Sequence, residues 1–205
     1  MFSGIVQSIA TVSSLQKKEH GAVLTLLFNE VLLRDLQIGA SVSVAGVCLT
    51  VVTIQHDVVS FDLTDETLHL TILGNLKKSD TLNIERSIKV GDEIGGHLLS
   101  GHVHGIASLI EKKEHDVFRF QLPKNLTKFV IEKGFISLDG ASLTLIDCDT
   151  KTGAFSVAFI PETLRATTFG NLRVGDKVNV EIDQQTRAVV ETVERMMEGR
   201  MKNAK

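Results

Sequence analysis

The chain has no tryptophan and no tyrosine, and ten phenylalanines are its only large aromatic residues. Stacking platforms for nucleic-acid bases are therefore scarce. Positive charge is not in excess either: 22 Lys and Arg stand against 25 Asp and Glu, a formal net charge of −3. The basic residues are spread along the chain and form no stripe, so nucleic acid and anionic membrane are excluded as expected partners. Long hydrophobic runs are missing. The longest apolar stretch, around Val42 to Ile54, is interrupted by Ser, Gly and Thr and falls short of the ~20 residues of a membrane span. Cysteine is sparse, with Cys48 and Cys148 alone. Met1-Phe2-Ser3-Gly4 lacks the basic and apolar regions of an export signal, and Phe2 stands where myristoylation needs glycine. Reduced thiols and a cytoplasmic setting are the expectation. No Gly-x-Gly-x-x-Gly or Lys-Ser/Thr pattern follows Gly95 and Gly96, so these two read as a connector and not as a phosphate loop.

What is present is a duplication. Ser60 to Glu85 (SFDLTDETLHLTILGNLKKSDTLNIE) and Ser156 to Glu181 (SVAFIPETLRATTFGNLRVGDKVNVE) align without a gap at a constant separation of 96 residues. Gly46-Val-Cys48-Leu-Thr50 is echoed by Gly140-Ala-Ser142-Leu-Thr144, and Phe2-Ser3-Gly4 by Leu99-Ser100-Gly101. The period exceeds the ~20–50 residues of a solenoid unit, so this is a duplicated domain. At 205 residues the chain suits two domains of ~100 residues, and duplicated domains can hold two copies of one ligand.

Each half reads as short strands. Val42 to Val44, Leu49 to Ile54, Val58 to Leu63 and Thr81 to Ile84 are β-branched and bounded by Gly, Asp or His, with partners at Ile136 to Leu138, Leu143 to Ile146, Phe155 to Phe159 and Lys177 to Ile182. Helical turns are expected at Asn29 to Leu36 and Lys124 to Glu132. The pattern predicts an all-β fold of two small barrels. Thr186 to Met201 differs: Val189, Val193, Met196 and Met197 recur at helical spacing. This appended helix has no counterpart in the first half, and its apolar stripe points to oligomerisation. The expected units are a barrel over 1–86, a linker over 87–97, a barrel over 98–184 and a helix over 185–205.

Several residues could carry chemistry. His97, His102 and His104 fall within eight residues, and on a strand His102 and His104 would share a face. No acidic or thiol cluster at ligand spacing accompanies them, so local hydrogen bonding or proton transfer is favoured over metal binding, and no metal is expected. Cys48 and Ser142 occupy one place in the two repeats, a thiol in one copy and a hydroxyl in the other. Glu66-Thr67-Leu68 and Glu162-Thr163-Leu164 follow strands, where hydroxyls and backbone amides can bind the edge of a planar heterocycle, or where a helical turn begins with Thr or a neighbour as cap. Asp80, Asp176, Asn83 and Asn179 read as turn and barrel-closure residues. Lys133 and Asp139 stand where the first half has Ile38 and Ala45, an asymmetry that ordinary surface divergence explains slightly better than a catalytic addition does.

Taken together, the start Met1 to Val6, the Ala45 to Thr50 segment, Gly95-Gly-His97-Leu-Leu-Ser-Gly-His102-Val103, Lys133 to Thr144 and Ile160-Pro-Glu-Thr-Leu164 resemble the riboflavin synthase family over essentially the whole chain. The resemblance implies two tandem six-stranded Greek-key β-barrels plus a C-terminal helix that assembles a homotrimer. It implies a cofactor-free dismutation of two molecules of 6,7-dimethyl-8-ribityllumazine per active site. One donates a four-carbon unit to the other, giving riboflavin and 5-amino-6-(D-ribitylamino)uracil. The site is expected between the N-terminal barrel of one subunit and the C-terminal barrel of a neighbour, and lumazine synthase, as a surrounding shell, is a further implied partner. By the resemblance Gly4, Ile5, Val6, Cys48, Leu49, Thr50, Asp62, Leu63, Thr64, Asp65, Glu66, Thr67, Gly101, His102 and Val103 line the N-terminal site. Lys133, Ser142, Leu143, Thr144, Ile160, Pro161, Glu162 and Thr163 line the other. His102 is expected to handle protons, Ser142, Cys48 or water to add to C7 of the acceptor, and Lys133 and Asp139 to polarise the ring. His97, Ser41 and Asp183 complete the catalytic set. The chain departs from the family pattern at Ser3, where Thr is usual, at Ala45 for Asn, at His69-Leu70 for Arg-x, and at His104 for Asp. A non-catalytic lumazine or flavin carrier is the alternative reading.

Overall fold

Alternation of buried and exposed residues dictates the local structure, as in Ala22–Leu27, where every second side chain is buried. The computed structural model describes residues 1–203. The first barrel comprises β1 (Ser8–Lys17), β2 (Ala22–Leu27), β3 (Ser41–Val44), β4 (Val47–Gln55), β5 (Val58–Leu63) and β6 (Thr81–Arg86). The second comprises β7 (Gly105–Lys113), β8 (Val117–Gln121), β9 (Phe135–Leu138), β10 (Ala141–Asp149), β11 (Ala154–Ala158) and β12 (Lys177–Ile182). Each closes as an antiparallel barrel with one strand order, β1-β2-β5-β4-β3-β6 and its equivalent β7-β8-β11-β10-β9-β12. Register shifts fall at matching places, between Val12 and Ser14, Val51 and Thr53, Leu109 and Glu111, and Leu145 and Asp147. Such bulges give short strands the bend that closing a narrow barrel needs. Closure leaves no free sheet edge, and each interior fills with its own apolar cluster, around Phe61 and Leu24 in one and Phe120 and Phe155 in the other.

Short helices intervene: α1 (Glu30–Leu33), and α2 (Asp65–Leu70) with its equivalent α3 (Pro161–Ala166). Asn29 caps α1 by accepting from the Leu32 amide, and Thr64 caps α2 by accepting from that of Thr67. The turn expected at Lys124 to Glu132 is a 3-10 helix over Lys124–Phe129. The long helix α4 (Gln184–Asn203) starts two residues before Thr186, because Asp183 caps it through the Thr186 amide and hydroxyl, both at 2.8 Å. The last two positions of the 185–205 segment lie outside the described residues. The hairpins β1–β2 and β7–β8, not singled out from the sequence, supply the remaining strands of each barrel.

The barrels are joined along a pseudo-twofold relationship. Asn83 donates to the Asp139 carbonyl (3.1 Å) and accepts from the Thr168 amide (2.9 Å), while Asn179 donates to the Ala45 carbonyl and accepts from the Ile72 amide, both at 2.8 Å. These asparagines, read from sequence as turn and closure residues, are reciprocal ties between barrels. Two hairpin turns meet at the same seam. Ala45-Gly46 and Asp139-Gly140 carry positive φ at both positions, as two-residue hairpins require. A Cβ on Gly46 would lie 2.7 Å from the Gly140 nitrogen, so the approach itself demands glycine.

The strands that enter each barrel are preceded by arms that cross. Val6 packs against the second barrel's core and Val103 belongs to the first's. Phe2 and Leu99 pair as an antiparallel bridge where the arms pass, with reciprocal amide-to-carbonyl bonds of 2.9 and 3.0 Å. Each arm is also clamped by its own barrel: Glu85 accepts from the Ser3 amide and hydroxyl and the Gly4 amide, and Glu181 does the same for Ser100 and Gly101.

Candidate functional site

The crossing of the arms regroups the candidate residues. The Gly4 carbonyl accepts from the Ser142 amide at 2.8 Å, so Gly4 lies on β10 of the second barrel and not at the N-terminal site. In mirror fashion the Gly101 carbonyl accepts from the Cys48 amide at 2.8 Å, so Gly101 lies on β4 of the first. A Cβ on Gly4 would fall 2.5 Å from that of Ser142, and one on Gly101 2.5 Å from that of Cys48. With positive φ at both, these glycines are fixed by conformation and by contact.

The first-barrel group unites Cys48 to Thr50 on β4, the Gly101 to Val103 arm, and Asp62 to Thr67 at the β5–α2 junction. Cys48 is half-buried, His102 and Thr50 are exposed, and Leu49, Leu63 and Val103 turn into the core. Asp62 pairs with Lys18 at 2.9 Å, and Asp65 accepts from the Gly21 amide at 2.9 Å. Glu66 and Thr67 sit within α2, as the capped-turn reading of Glu-Thr-Leu anticipates. Ser41 stands half-buried opposite Thr50 on β3.

The second-barrel group holds a feature that the first lacks. The His97 ring nitrogen Nδ1 lies 2.6 Å from the Ser142 hydroxyl. His97 is only 8 % exposed and stacks on Phe135, with ring centroids 5.1 Å apart and planes 16° from parallel. Burial pulls the imidazole below its usual pKa, against an opposing pull from the Asp183 carboxylate. A neutral ring beside a hydroxyl can accept its proton. Gly96, expected to be a plain connector, is instead wedged: a Cβ there would lie 2.4 Å from the Ser3 carbonyl and 2.6 Å from the Ser142 Cβ. Leu143 is buried, Thr144 is exposed, and Ile160 is 63 % exposed at the start of α3. Pro161 opens that helix, Thr163 lies within it, and Glu162 is tied to Arg165.

Other expected site residues stand apart. Among the described residues Asp139 makes no hydrogen bond to Ser142. It is buried in the hairpin turn between the barrels, accepts from the Asn179 amide at 2.7 Å, and burial pushes its carboxyl up to about 8. Lys133 is exposed with φ of 64°, and its amide bonds to the Leu145 carbonyl as that of Gly39 bonds to Val51. The register therefore matches Lys133 with Gly39 and not with Ile38. His102 and His104 lie just before β7, not within a strand. His104 accepts from the Ile182 amide at 3.2 Å and faces Arg187 at 2.9 Å, which ties it to α4. The side chain in hydrogen-bond contact with Ser142 is thus His97, while His102 follows the arm residue Gly101 that pairs with Cys48. Phe135 was missed by the sequence reading; its one signal was an aromatic where the first barrel has Ser41.

Comparison with known proteins fits this duplicated arrangement. Residues 3–87 and 100–183 each match the lumazine binding domain. The chain is 44% identical to the riboflavin synthase of Chlamydia pneumoniae over 197 residues, covering 96% of this chain and 97% of that one. It is also 44% identical to the riboflavin synthase of Escherichia coli K12, covering 98% and 95%. Among solved structures, LumP complexed with 6,7-dimethyl-8-(1'-D-ribityl) lumazine superposes with a TM-score of 0.80 at 25% identity, over 90% of this chain and 100% of that one. LumP complexed with riboflavin gives 0.82 at 26%, with the same coverage.

Proposed function

The chain belongs to the lumazine-binding-domain family, among its riboflavin synthases, and on that premise we propose how its two barrels carry out the reaction. It is an enzyme that makes riboflavin from 6,7-dimethyl-8-ribityllumazine. Two lumazines react: a four-carbon unit leaves one and completes the third ring of the other, so one riboflavin and one 5-amino-6-(D-ribitylamino)uracil form from each pair. No external oxidant or reductant is needed, because the donor loses what the acceptor gains.

The observation that carries this reading is the difference between two otherwise equivalent sites. Each barrel offers a strand (β4 or β10) edged by a crossing arm, which suits one copy of a planar substrate. Only the second adds the His97–Ser142 pair. Holding two substrates in register supplies up to ~7–11 kcal/mol of the barrier in favourable cases, so one activated hydroxyl and one base are sufficient chemistry. Ser142, relieved of its proton by His97, adds to C7 of the acceptor, while Cys48 and His102 sit with the other molecule. Lys133, exposed at the entry to β9, supplies positive charge to the ring or the ribityl chain.

Two sites on one chain must meet a complementary pair. Val189, Val193, Met196 and Met197 are each about half exposed or more on α4, while Val190 faces the second barrel's core. This unpartnered stripe is the assembly element of a homotrimer, in which the first barrel of one subunit faces the second barrel of its neighbour. A cytoplasmic setting, with lumazine synthase as a surrounding shell, completes this proposal.

Incubating the chelator-treated protein with 6,7-dimethyl-8-ribityllumazine alone tests the reading. Riboflavin should appear at half the molar amount of lumazine consumed. Tight binding of one chromophore per chain without product would instead make it a carrier.

A further inference from the structure

We infer that Phe135 is a positioning residue of the second barrel, holding the His97 imidazole in the one orientation that presents Nδ1 to the Ser142 hydroxyl. The kinetic part of this inference rests on the riboflavin-forming reading above; the spectroscopic part does not.

A histidine side chain turns about two bonds, and a hydrogen bond to one ring nitrogen fixes only part of that freedom. At His97 the second nitrogen, Nε2, is buried with no hydrogen-bond partner among the described residues, so none of them anchors the far side of the ring by a polar contact. The anchor is instead the face of Phe135, nearly parallel at 5.1 Å between centroids. Offset stacking of this kind is favourable and directional. The backbone is fixed as well, since Gly96 is wedged against the Ser3 carbonyl. His97 is thus held at its backbone, at Nδ1 and on its face. Removing the ring face frees rotation about the remaining hydrogen bond and admits water.

The first barrel shows that this is an addition and not a demand of the fold. Strand β9 pairs Phe135 with Thr144, and strand β3 pairs Ser41 with Thr50, so Ser41 is the structural equivalent of Phe135. That barrel closes with a small polar residue at this place. Phe135 is also 46 % exposed and belongs to no apolar core, so packing alone does not account for it. The aromatic occurs in the copy that carries a buried histidine to stack on.

The ring's electrostatic setting follows from the same contact. Burial lowers the affinity of His97 for a proton, and the charged group acting on it is Asp183, which raises that affinity from the start of α4. Phe135 covers part of the imidazole and helps to keep it neutral, the form that can accept from Ser142.

The test replaces Phe135 by Ser, the residue of the first barrel, and by Leu, Tyr and Trp. Titration of His97 by heteronuclear NMR, without substrate, should show its pKa rising toward the ordinary value in F135S and F135L and staying low in F135Y and F135W. In turnover, kcat for F135L should fall about tenfold with KM nearly constant, a fraction of the ~10²–10⁴ that a positioned acid or base contributes. The acid limb of its pH profile should move to higher pH. Adding F135L to H97Q should cost nothing further. An unchanged His97 titration in F135L, or a loss confined to KM, overturns the inference. Should F135S misfold, F135L and F135Y carry the comparison. Failure to form riboflavin in the unaltered protein would sink the functional reading but leave the NMR titration decisive for Phe135.

Discussion

The amide of Ser142 donates to the carbonyl of Gly4, a residue that stands 138 positions earlier and enters the other barrel. The strand that bears the Ser142 hydroxyl is therefore edged by the opening residues of the chain. An equivalent bond from Cys48 to Gly101 makes the arrangement reciprocal.

Gly4→Ala should impair the second site selectively. The added methyl meets Ser142 at 2.5 Å in a left-handed conformation that alanine resists. Lumazine binding, followed by fluorescence titration, should drop from two sites per chain to one, and turnover should be lost. Gly101→Ala should remove the other site.

Ser142→Ala and His97→Gln should each lower kcat by about 10²-fold or more, and the double variant should be little worse than either, because the two groups act as one unit. Rates should fall on the acid side only at pH values below the ordinary imidazole range, because burial lowers the His97 pKa and protonation then takes the acceptor from Ser142. Full additivity in the double variant would separate the two roles.

Asp139→Asn should alter stability as a function of pH. The carboxyl's ordinary value is 3.8 and the fold raises it to about 8, so the native state holds a proton that the unfolded chain releases. Its contribution is complete below pH ~4 and is lost as pH rises through ~8. Asparagine keeps an acceptor for the Asn179 amide and tolerates the positive φ. Calorimetry should show a smaller loss of Tm between pH ~6 and ~9 in the variant than in the parent. Parallel curves would contradict the assignment.

Asn83→Ala should destabilise the chain by about 2–4 kcal/mol, because it leaves the buried Asp139 carbonyl and the Thr168 amide without partners. Asn179→Ala should match it. Urea unfolding is the measurement, and a cost below about 0.5 kcal/mol would show that water replaces the tie.

Val193→Asp and Met196→Glu should dissociate the assembly while leaving the barrels folded, since both side chains face away from their own barrel and are about half exposed. Sedimentation should show monomers, with strand circular dichroism retained and activity lost. A trimer that survives both changes would place the interface elsewhere.

The duplication and the barrels were legible because both halves meet one packing demand at one spacing, so Ser60 to Glu85 repeats without a gap. The helix was legible because Val189, Val193 and Met196 keep helical period in an otherwise strand-forming chain. What could not be read was which barrel each arm completes. Phe2-Ser3-Gly4 and Leu99-Ser100-Gly101 announce equivalence, but equivalence is silent on exchange. The His97–Ser142 contact joins residues 45 apart that the path of the connector past the crossing arm and β10 brings together. Phe135 fell just outside the strand read at Ile136 to Leu138, and the charge of Asp139 opposite neutral Ala45 fitted surface divergence as well as a catalytic addition; its burial in a turn was invisible to pattern. The first hairpin of each barrel escaped notice because Ser13, Ser14 and Lys17 in one, and Glu111 to Lys113 in the other, dilute the apolar alternation that marks strands.

Because Val6 completes one interior and Val103 the other, neither half owns all of its own core. Heat should therefore not melt the two halves separately. A trace with a single transition, in which loosening of either half withdraws a side chain from its neighbour, is the expected behaviour. For the same reason, severing the chain between residues 87 and 97 would yield pieces that each seek a counterpart, whether the missing piece or another copy of themselves.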